Sequence, residues 1–192
     1  IFSPFLVSRI IKKLNIRSAG GPDGIPAVFL KKTISSICEP LAFIFQVLFD
    51  EGCLPAIWRQ AYITCIYKKG DSTLPSNYRP ISLTCCICKL MESIIKDQLT
   101  SYLLLKGLIS NQQHAFIKKH STVTNLLEYT HDCAVSIHGG FAVDAIYIDF
   151  THAFDSVVHA KLICKLTNFG ISGTLLMWIK AFLSNRYQCV VI

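Results

Sequence analysis

The chain has 192 residues, 52% of them hydrophobic and only 16% charged, yet 19 Lys and Arg against 12 Asp and Glu leave a formal charge of +7. That apolar content excludes a disordered chain, 10 Gly and 7 Pro exclude a collagen-like one, and the low charge excludes a bare coiled coil. No uncharged run reaches the ~18 residues of a membrane span, and Ile1-Phe2-Ser3-Pro4 lacks the basic leader and cleavage site of a signal peptide.

Charge is uneven along the chain: residues 1–119 hold 15 Lys/Arg and 7 acids, residues 120–192 hold 4 and 5. Such asymmetry fits a first part that faces a polyanion, or lysines that merely solvate helix faces. The first predicted element is a helix with Ser3 as N-cap, Pro4 at its first position, and Leu6, Ile10, Ile11 and Leu14 as one apolar stripe. Gly20-Gly21-Pro22-Asp23-Gly24 must end it. A second helical region spans about 26–50, with a break expected at Glu39-Pro40. Residues 61–67 read as a strand running into Lys68-Lys69-Gly70-Asp71, and Tyr78 to Leu83 as its return, so a hairpin with lysines at its tip is expected. Ile87, Leu90, Met91, Ile94, Ile95, Leu99 and Tyr102 mark a long amphipathic helix, and Thr122 to Ile137 another, capped by Ser121 and stopped by Gly139-Gly140. Val143 to Phe150 is the strongest strand pattern in the chain, helices follow at about 158–168 and 173–184, and Cys189 to Ile192 reads as the middle of a strand.

The nine cysteines are odd in number and dispersed, which points to buried free thiols in a reducing compartment rather than a disulfide framework. Cys85 and Cys88 form a lone CxxC with no second pair or His to complete a zinc site.

In Val143 to Phe150, strand alternation sets Ala145, Tyr147 and Asp149 on one face and brings Asp149 out at the strand end, beside Thr151 to Asp155. A carboxylate on rigid backbone next to a loop suits a hard cation such as Mg²⁺; equally, Asp149 or Asp155 could cap the helix that follows. Ile146-Tyr147-Ile148-Asp149-Phe150-Thr151-His152-Ala153-Phe154-Asp155 resembles the first catalytic block of reverse transcriptases of the non-LTR (LINE-type) retrotransposons. Five further blocks fit the same family in order: Gly21 to Pro26, Ile66 to Asp71, Asn77 to Thr84, Gln113-His114-Ala115-Phe116 with Ser121, and Trp178 through Gln188.

The resemblance implies an α+β right-hand polymerase, with a basic fingers-like region over residues 1–142 and the first part of the palm over 143–192. It implies RNA-directed DNA synthesis with an RNA template, a DNA primer, deoxynucleoside triphosphates and the remainder of the polymerase chain as partners, no membrane, and a nuclear and cytoplasmic ribonucleoprotein setting. Two Mg²⁺ (or Mn²⁺) ions serve such chemistry. Asp149 matches the catalytic, metal-ligating aspartate, with the Phe150 carbonyl as backbone ligand. Phe154 matches the bulky residue under the sugar that excludes a ribose 2′-hydroxyl; plain core packing is its other reading. Lys68 or Lys69 and Arg79 fall on the hairpin that closes over the triphosphate, where arginine offers a planar fork and lysine a point charge. Gln113 and Phe116 fall on the template-side wall, Arg186 near the nucleic-acid backbone, and Asp155 in a structural position.

Cys65 stands where the family usually has proline, Ala115 where it has glycine, and His120 where arginine commonly precedes Ser121. The paired aspartates that complete the family's metal site are not among these residues, so the sequence reads as a piece truncated before that block and inactive alone. Its uncovered palm faces would make it poorly soluble or partly folded. The alternative is a non-catalytic RNA-binding remnant of a decayed element.

Overall fold

A computed structural model describes residues 1–151 and 153–191; His152 of the aspartate block and Ile192 of the final predicted strand lie outside the described residues. In chain order the elements are α1 (Pro4–Lys13), α2 (Ala27–Lys32), α3 (Ile34–Asp50), β1 (Gln60–Tyr67), β2 (Tyr78–Leu83), α4 (Cys86–Leu105), α5 (Thr122–His138), α6 (His159–Asn168), α7 (Gly173–Leu183) and β3 (Tyr187–Val190). This is a mixture of helices with one small sheet, as an α+β chain requires. No helix among the described residues is long and apolar enough to cross a membrane. Two compact units are present, Ile1–Thr100 together with the stretch from His159, and Ser101–Val158.

In the first unit α1 begins as its sequence dictates: the Ser3 side chain accepts from the Leu6 N–H at 3.3 Å and Pro4 takes the first turn. Val7, Ile10 and Ile11 enter the core. The second helical region breaks at Thr33, not at Glu39-Pro40. Thr33 closes α2 by donating from both its N–H (3.0 Å) and its hydroxyl (2.9 Å) to the Phe29 carbonyl, and its own carbonyl starts α3. Pro40 lies inside α3, where its ring removes one helical bond; Ser36 and Pro40 are both exposed, so water can serve the carbonyl left over. Phe45 is wholly buried, its ring 5.6 Å from Phe2 and 6.1 Å from Trp58 in edge-to-face contacts. Leu30, Leu90, Met91 and Trp178 extend that core into α2, α4 and α7.

The sheet order is β2-β1-β3, with β1 antiparallel to β2 and parallel to β3. Ala61 and Ile63 bury the base of β1, while the strand from Thr64 onward is exposed and carries the hairpin into solvent. Cys38, Cys85, Cys86 and Cys88 are buried free thiols, but Cys65, Cys164 and Cys189 are exposed, because their stretches of β1, α6 and β3 face solvent. Burial pushes the Cys85 thiol up to about 11, against an opposing hydrogen bond from the Asp23 backbone.

The second unit holds the end of α4 and the whole of α5. α5 carries the expected cap in full, since the Ser121 hydroxyl accepts from the Thr124 N–H at 3.2 Å and the Thr124 hydroxyl accepts from the Ser121 N–H at 2.9 Å. Val143 to Phe150, by contrast, is not a strand. It forms no ladder, and Ile146 and Tyr147 are 86% and 83% exposed. β-formers supply propensity, but a strand exists only through hydrogen bonds to a neighbour, and the described residues of Ser101–Val158 contain no strand. Among the described residues the segment's one side-chain hydrogen bond is that of the Tyr147 hydroxyl donating to that of Tyr129 on α5 at 3.2 Å.

The loop before α2 is fixed by close approach. A Cβ on Gly21 would lie 2.6 Å from the Cα of Cys85, against backbone that cannot give way, whereas a Cβ on Gly24 meets open space at φ +66°. Gly21→Ala is therefore expected to cost roughly 3 kcal/mol through overpacking, and Gly24→Ala only about 1 kcal/mol through backbone conformation. Urea denaturation of the two variants checks this, and equal losses would contradict it.

Candidate functional site

The candidate residues divide between the two units. Lys68, Lys69, Arg79 and Arg186 lie in the first; Gln113, Phe116, Asp149, Phe150 and Phe154 lie in the second.

The hairpin tip between β1 and β2 is built from its own side chains. The Lys68 N–H donates to the Asn77 carbonyl at 2.8 Å, and the Asn77 amide donates to the Asp71 carbonyl at 2.8 Å. The Tyr78 hydroxyl reaches the Ser72 carbonyl at 2.8 Å, the Tyr67 hydroxyl bonds the Gly70 carbonyl, and the two tyrosine rings meet edge to face at 5.6 Å. One Asp71 carboxylate oxygen accepts from both the N–H (2.9 Å) and the hydroxyl (2.7 Å) of Thr73, closing an Asx turn. The loop is therefore a braced platform rather than a slack connection. Lys68 and Lys69 stand exposed on it, and Arg79 is exposed on β2 opposite Ile66. Among the described residues none of these three cations pairs with a carboxylate. A tip that carries three cations and one carboxylate, Asp71, the carboxylate being engaged by Thr73 and not by the cations, keeps a net positive charge on a framework already ordered and suits phosphate oxygens.

Arg186, at the entrance to β3, is half-buried and occupied locally. Its guanidinium lies 4.8 Å over the Phe182 ring and donates to the Phe182 carbonyl at 3.1 Å, while Phe182 stacks on Trp178 at 5.3 Å. These contacts join the end of α7 to β3.

In the second unit Asp149 and Phe150 are exposed at the end of the unpaired segment. The Asp149 carboxylate and the Phe150 carbonyl are oxygen donors of the kind a hard cation takes, but such an ion needs about six. No group of three or more His, Cys, Asp or Glu gathers around a possible ion among the described residues. In kind the donors fit, and in number they are part of a set. Phe154 does not pack into a core: it is exposed, its ring 6.1 Å from that of Phe116 at 87°. Two residues assigned separately, one to the sugar and one to the template wall, thus touch each other. The Gln113 side chain turns inward on its own loop, donating to the Ala115 carbonyl at 3.0 Å.

Residue-by-residue reading of the sequence misses His114. It is buried, its Nδ1 3.0 Å from the Thr124 hydroxyl and its Nε2 3.0 Å from the Glu128 carboxylate, with the His120 ring tilted against it at 4.9 Å. The available signal is that Thr124 and Glu128 stand four apart on α5, on one helix face. The roles of Asp71 and Asn77 in holding the hairpin tip also go unassigned from sequence, though both lie in the motif blocks.

Comparison with known proteins agrees with the motif order. Residues 66–191 match the family described as reverse transcriptase (RNA-dependent DNA polymerase), a span that holds the hairpin tip and the aspartate block. The chain belongs to the reverse transcriptase family, and its relatives are polymerases of non-LTR retrotransposons. It is 30% identical over 157 residues to a probable RNA-directed DNA polymerase from transposon BS of Drosophila melanogaster, covering 81% of this chain and 17% of that protein. It is 28% identical over 181 residues to the RNA-directed DNA polymerase from mobile element jockey of the same species, covering 94% and 20%. A Pol polyprotein from the type-1 retrotransposable element R2 of Popillia japonica is 26% identical over 168 residues, covering 88% and 22%. The chain spans about a fifth of the length of these curated relatives.

The Thr73 bonds hold the Asp71 carboxyl below the ordinary carboxylate range. A lowered folded value means that the turn's contribution is present at pH above the ordinary value and is lost as pH falls through Asp71's own lower one. An NMR titration is expected to show the Thr73 amide moving with that lower midpoint, and Asp71→Ala to abolish the transition and loosen the amides of Lys68 and Lys69. A Thr73 shift that follows an ordinary carboxylate midpoint would contradict the turn.

Proposed function

We propose that this chain is part of an RNA-directed DNA polymerase of a non-LTR retrotransposon, extending a DNA primer on an RNA template from deoxynucleoside triphosphates. The observation that carries this reading is that the braced, net-positive tip of Lys68, Lys69 and Arg79 and the exposed Asp149 both fall within the 66–191 reverse transcriptase match. In this reading residues 1–142 are the fingers-like region and 143–192 the first part of the palm. Lys68 or Lys69 and Arg79 bind the triphosphate. Phe154 faces the sugar, Gln113 and Phe116 belong to the template side, and Arg186 contributes to the nucleic-acid backbone only through donors that Phe182 leaves free. Asp149, with the Phe150 carbonyl, would hold magnesium or manganese, which supplies Lewis-acid charge to the transferring phosphate when bound. The remaining ligands come from the rest of the polymerase chain, and the protein works in a nuclear and cytoplasmic ribonucleoprotein.

A non-catalytic RNA-binding remnant is the second reading, favoured by the fact that no group of three or more His, Cys, Asp or Glu gathers around a possible ion among the described residues. The two differ in what Asp149 does. In the complete polymerase, Asp149→Asn is expected to lower Mg²⁺-dependent primer extension by more than about a hundredfold, since even the outer partners of metal ligands contribute up to that much. RNA binding would keep its salt dependence, log K falling by about 0.7 per phosphate neutralised. The 192-residue chain alone is expected to extend no primer. Unchanged extension by the Asp149 variant would overturn the site, and a complete polymerase that binds RNA but never extends a primer would favour the remnant.

Arg79→Ala should act on nucleotide binding, raising the KM for deoxynucleotide about tenfold, the size of one charge-assisted contact. Steady-state kinetics check this, and a change confined to kcat would contradict it.

A further inference from the structure

The loop from Gln113 to Ser121 is held in a conformation that its residues do not favour by themselves. Phe116 has φ +64° and Lys119 φ +68°, the left-handed region that side chains rarely adopt. Such backbone persists only where its surroundings over-determine it. Here they do. The Gln113 N–H donates to the Ser110 carbonyl at 3.0 Å and its side chain bonds the Ala115 carbonyl at 3.0 Å. His114 is only 7% exposed and bridges two residues of α5 one turn apart. Glu128 can only accept when ionised, so Nε2–H donates to it; the Thr124 hydroxyl that meets Nδ1 is itself tied to both the N–H and the carbonyl of Ser121. The anchor is therefore continuous with the cap of a 17-residue helix.

What this anchor presents is Phe116. The side chain is 85% exposed, so no hydrophobic burial explains its strained backbone. Among the described residues its one ring contact is Phe154, itself 78% exposed. An aromatic ring that open to water has free choice of rotamer unless something stands beside it, and the near-perpendicular Phe116 ring is what stands there.

We infer that His114 and Phe116 are positioning residues for sugar selection: His114, clamped on α5, sets Phe116 against Phe154 and so fixes the ring that discriminates deoxyribonucleotides from ribonucleotides. This rests on the polymerase reading and assigns a specificity device within it. From its place on the template side Phe116 then acts through Phe154, and Glu128 and Thr124 hold the arrangement from α5.

The test is made in the complete polymerase that carries this chain, with primer extension measured for each deoxynucleoside triphosphate and its ribonucleoside counterpart. The readout is the ratio of the two kcat/KM values, which a loss of folded enzyme would leave unchanged because both fall together. His114→Ala is expected to lower the ratio about fivefold, the size of one aromatic edge contact. Phe116→Gly is the second variant: glycine accepts the left-handed φ without strain, so the fold is kept while the ring is lost, and the same drop is expected. The double variant should fall no further, because both changes remove one contact. His114→Gln, which can still donate to Glu128, should recover part of the ratio. An unchanged ratio in Phe116→Gly, or drops that multiply in the double variant, would overturn the inference while the wild type still extends primers. A wild type that extends no primer overturns the polymerase reading and this inference with it.

Discussion

The pairing of β1 on both of its edges is the constraint on which the first unit depends. A two-stranded hairpin is marginal in water, and this one projects most of its length, from Thr64 to the tip, into solvent. It stands because its base is held twice over. Ala61 and Ile63 are buried, and β3 adds a parallel partner from Gln60↔Tyr187 to Ile63↔Val190 along the same stretch. The antiparallel ladder with β2 continues from Tyr62↔Leu83 to Tyr67↔Tyr78, beyond the reach of β3. The strand thus has an anchored half and a free half. The cations sit at the end of the free half, where the tip's own hydrogen bonds replace the missing core.

That division explains which parts of the molecule can be read from the sequence. α1, α4 and α5 are legible because cap residues and a 3.6-residue apolar stripe are local properties, and Ser3, Pro4 and Ser121 act where their chemistry places them. The hairpin is legible for a similar reason, since two β-rich runs flank a turn-forming stretch. The break at Thr33 is not. Proline is the stronger local signal, but on the exposed side of a helix its missing bond can be made by water, while the Thr33 hydroxyl closes the turn earlier. Val143 to Phe150 fails in the opposite direction. Its alternation is strong, but a strand depends on a neighbour that no local pattern can supply.

The candidate site shows the same limit. Residue types and order identify the hairpin cations and Asp149, because charge and chemistry belong to single residues. Contacts between residues far apart in sequence do not follow from order. Phe116 beside Phe154, and His114 between Thr124 and Glu128, arise only when the loop folds onto α5. Arg186 shows the reverse case, a cation whose sequence position suggests a ligand while its neighbours, Phe182 and Trp178, give it structural work.

The low charge fraction now has a structural counterpart. In the first unit apolar residues meet each other across α1, α3, α4 and α7, and a core of phenylalanine and tryptophan rings justifies the composition. In the second unit they do not: Val123, Leu126, Leu127 and Ile137 of α5 are exposed, and so is nearly all of the segment from Phe141 to Phe150. What orders this unit is therefore polar and local, the Ser121–Thr124 cap, the His114 bridge and the tyrosine pair. Such contacts are directional where apolar burial is not. They can hold a strained loop and an exposed ring in a defined place without a core beneath them, and a specificity device in this unit has to rest on them.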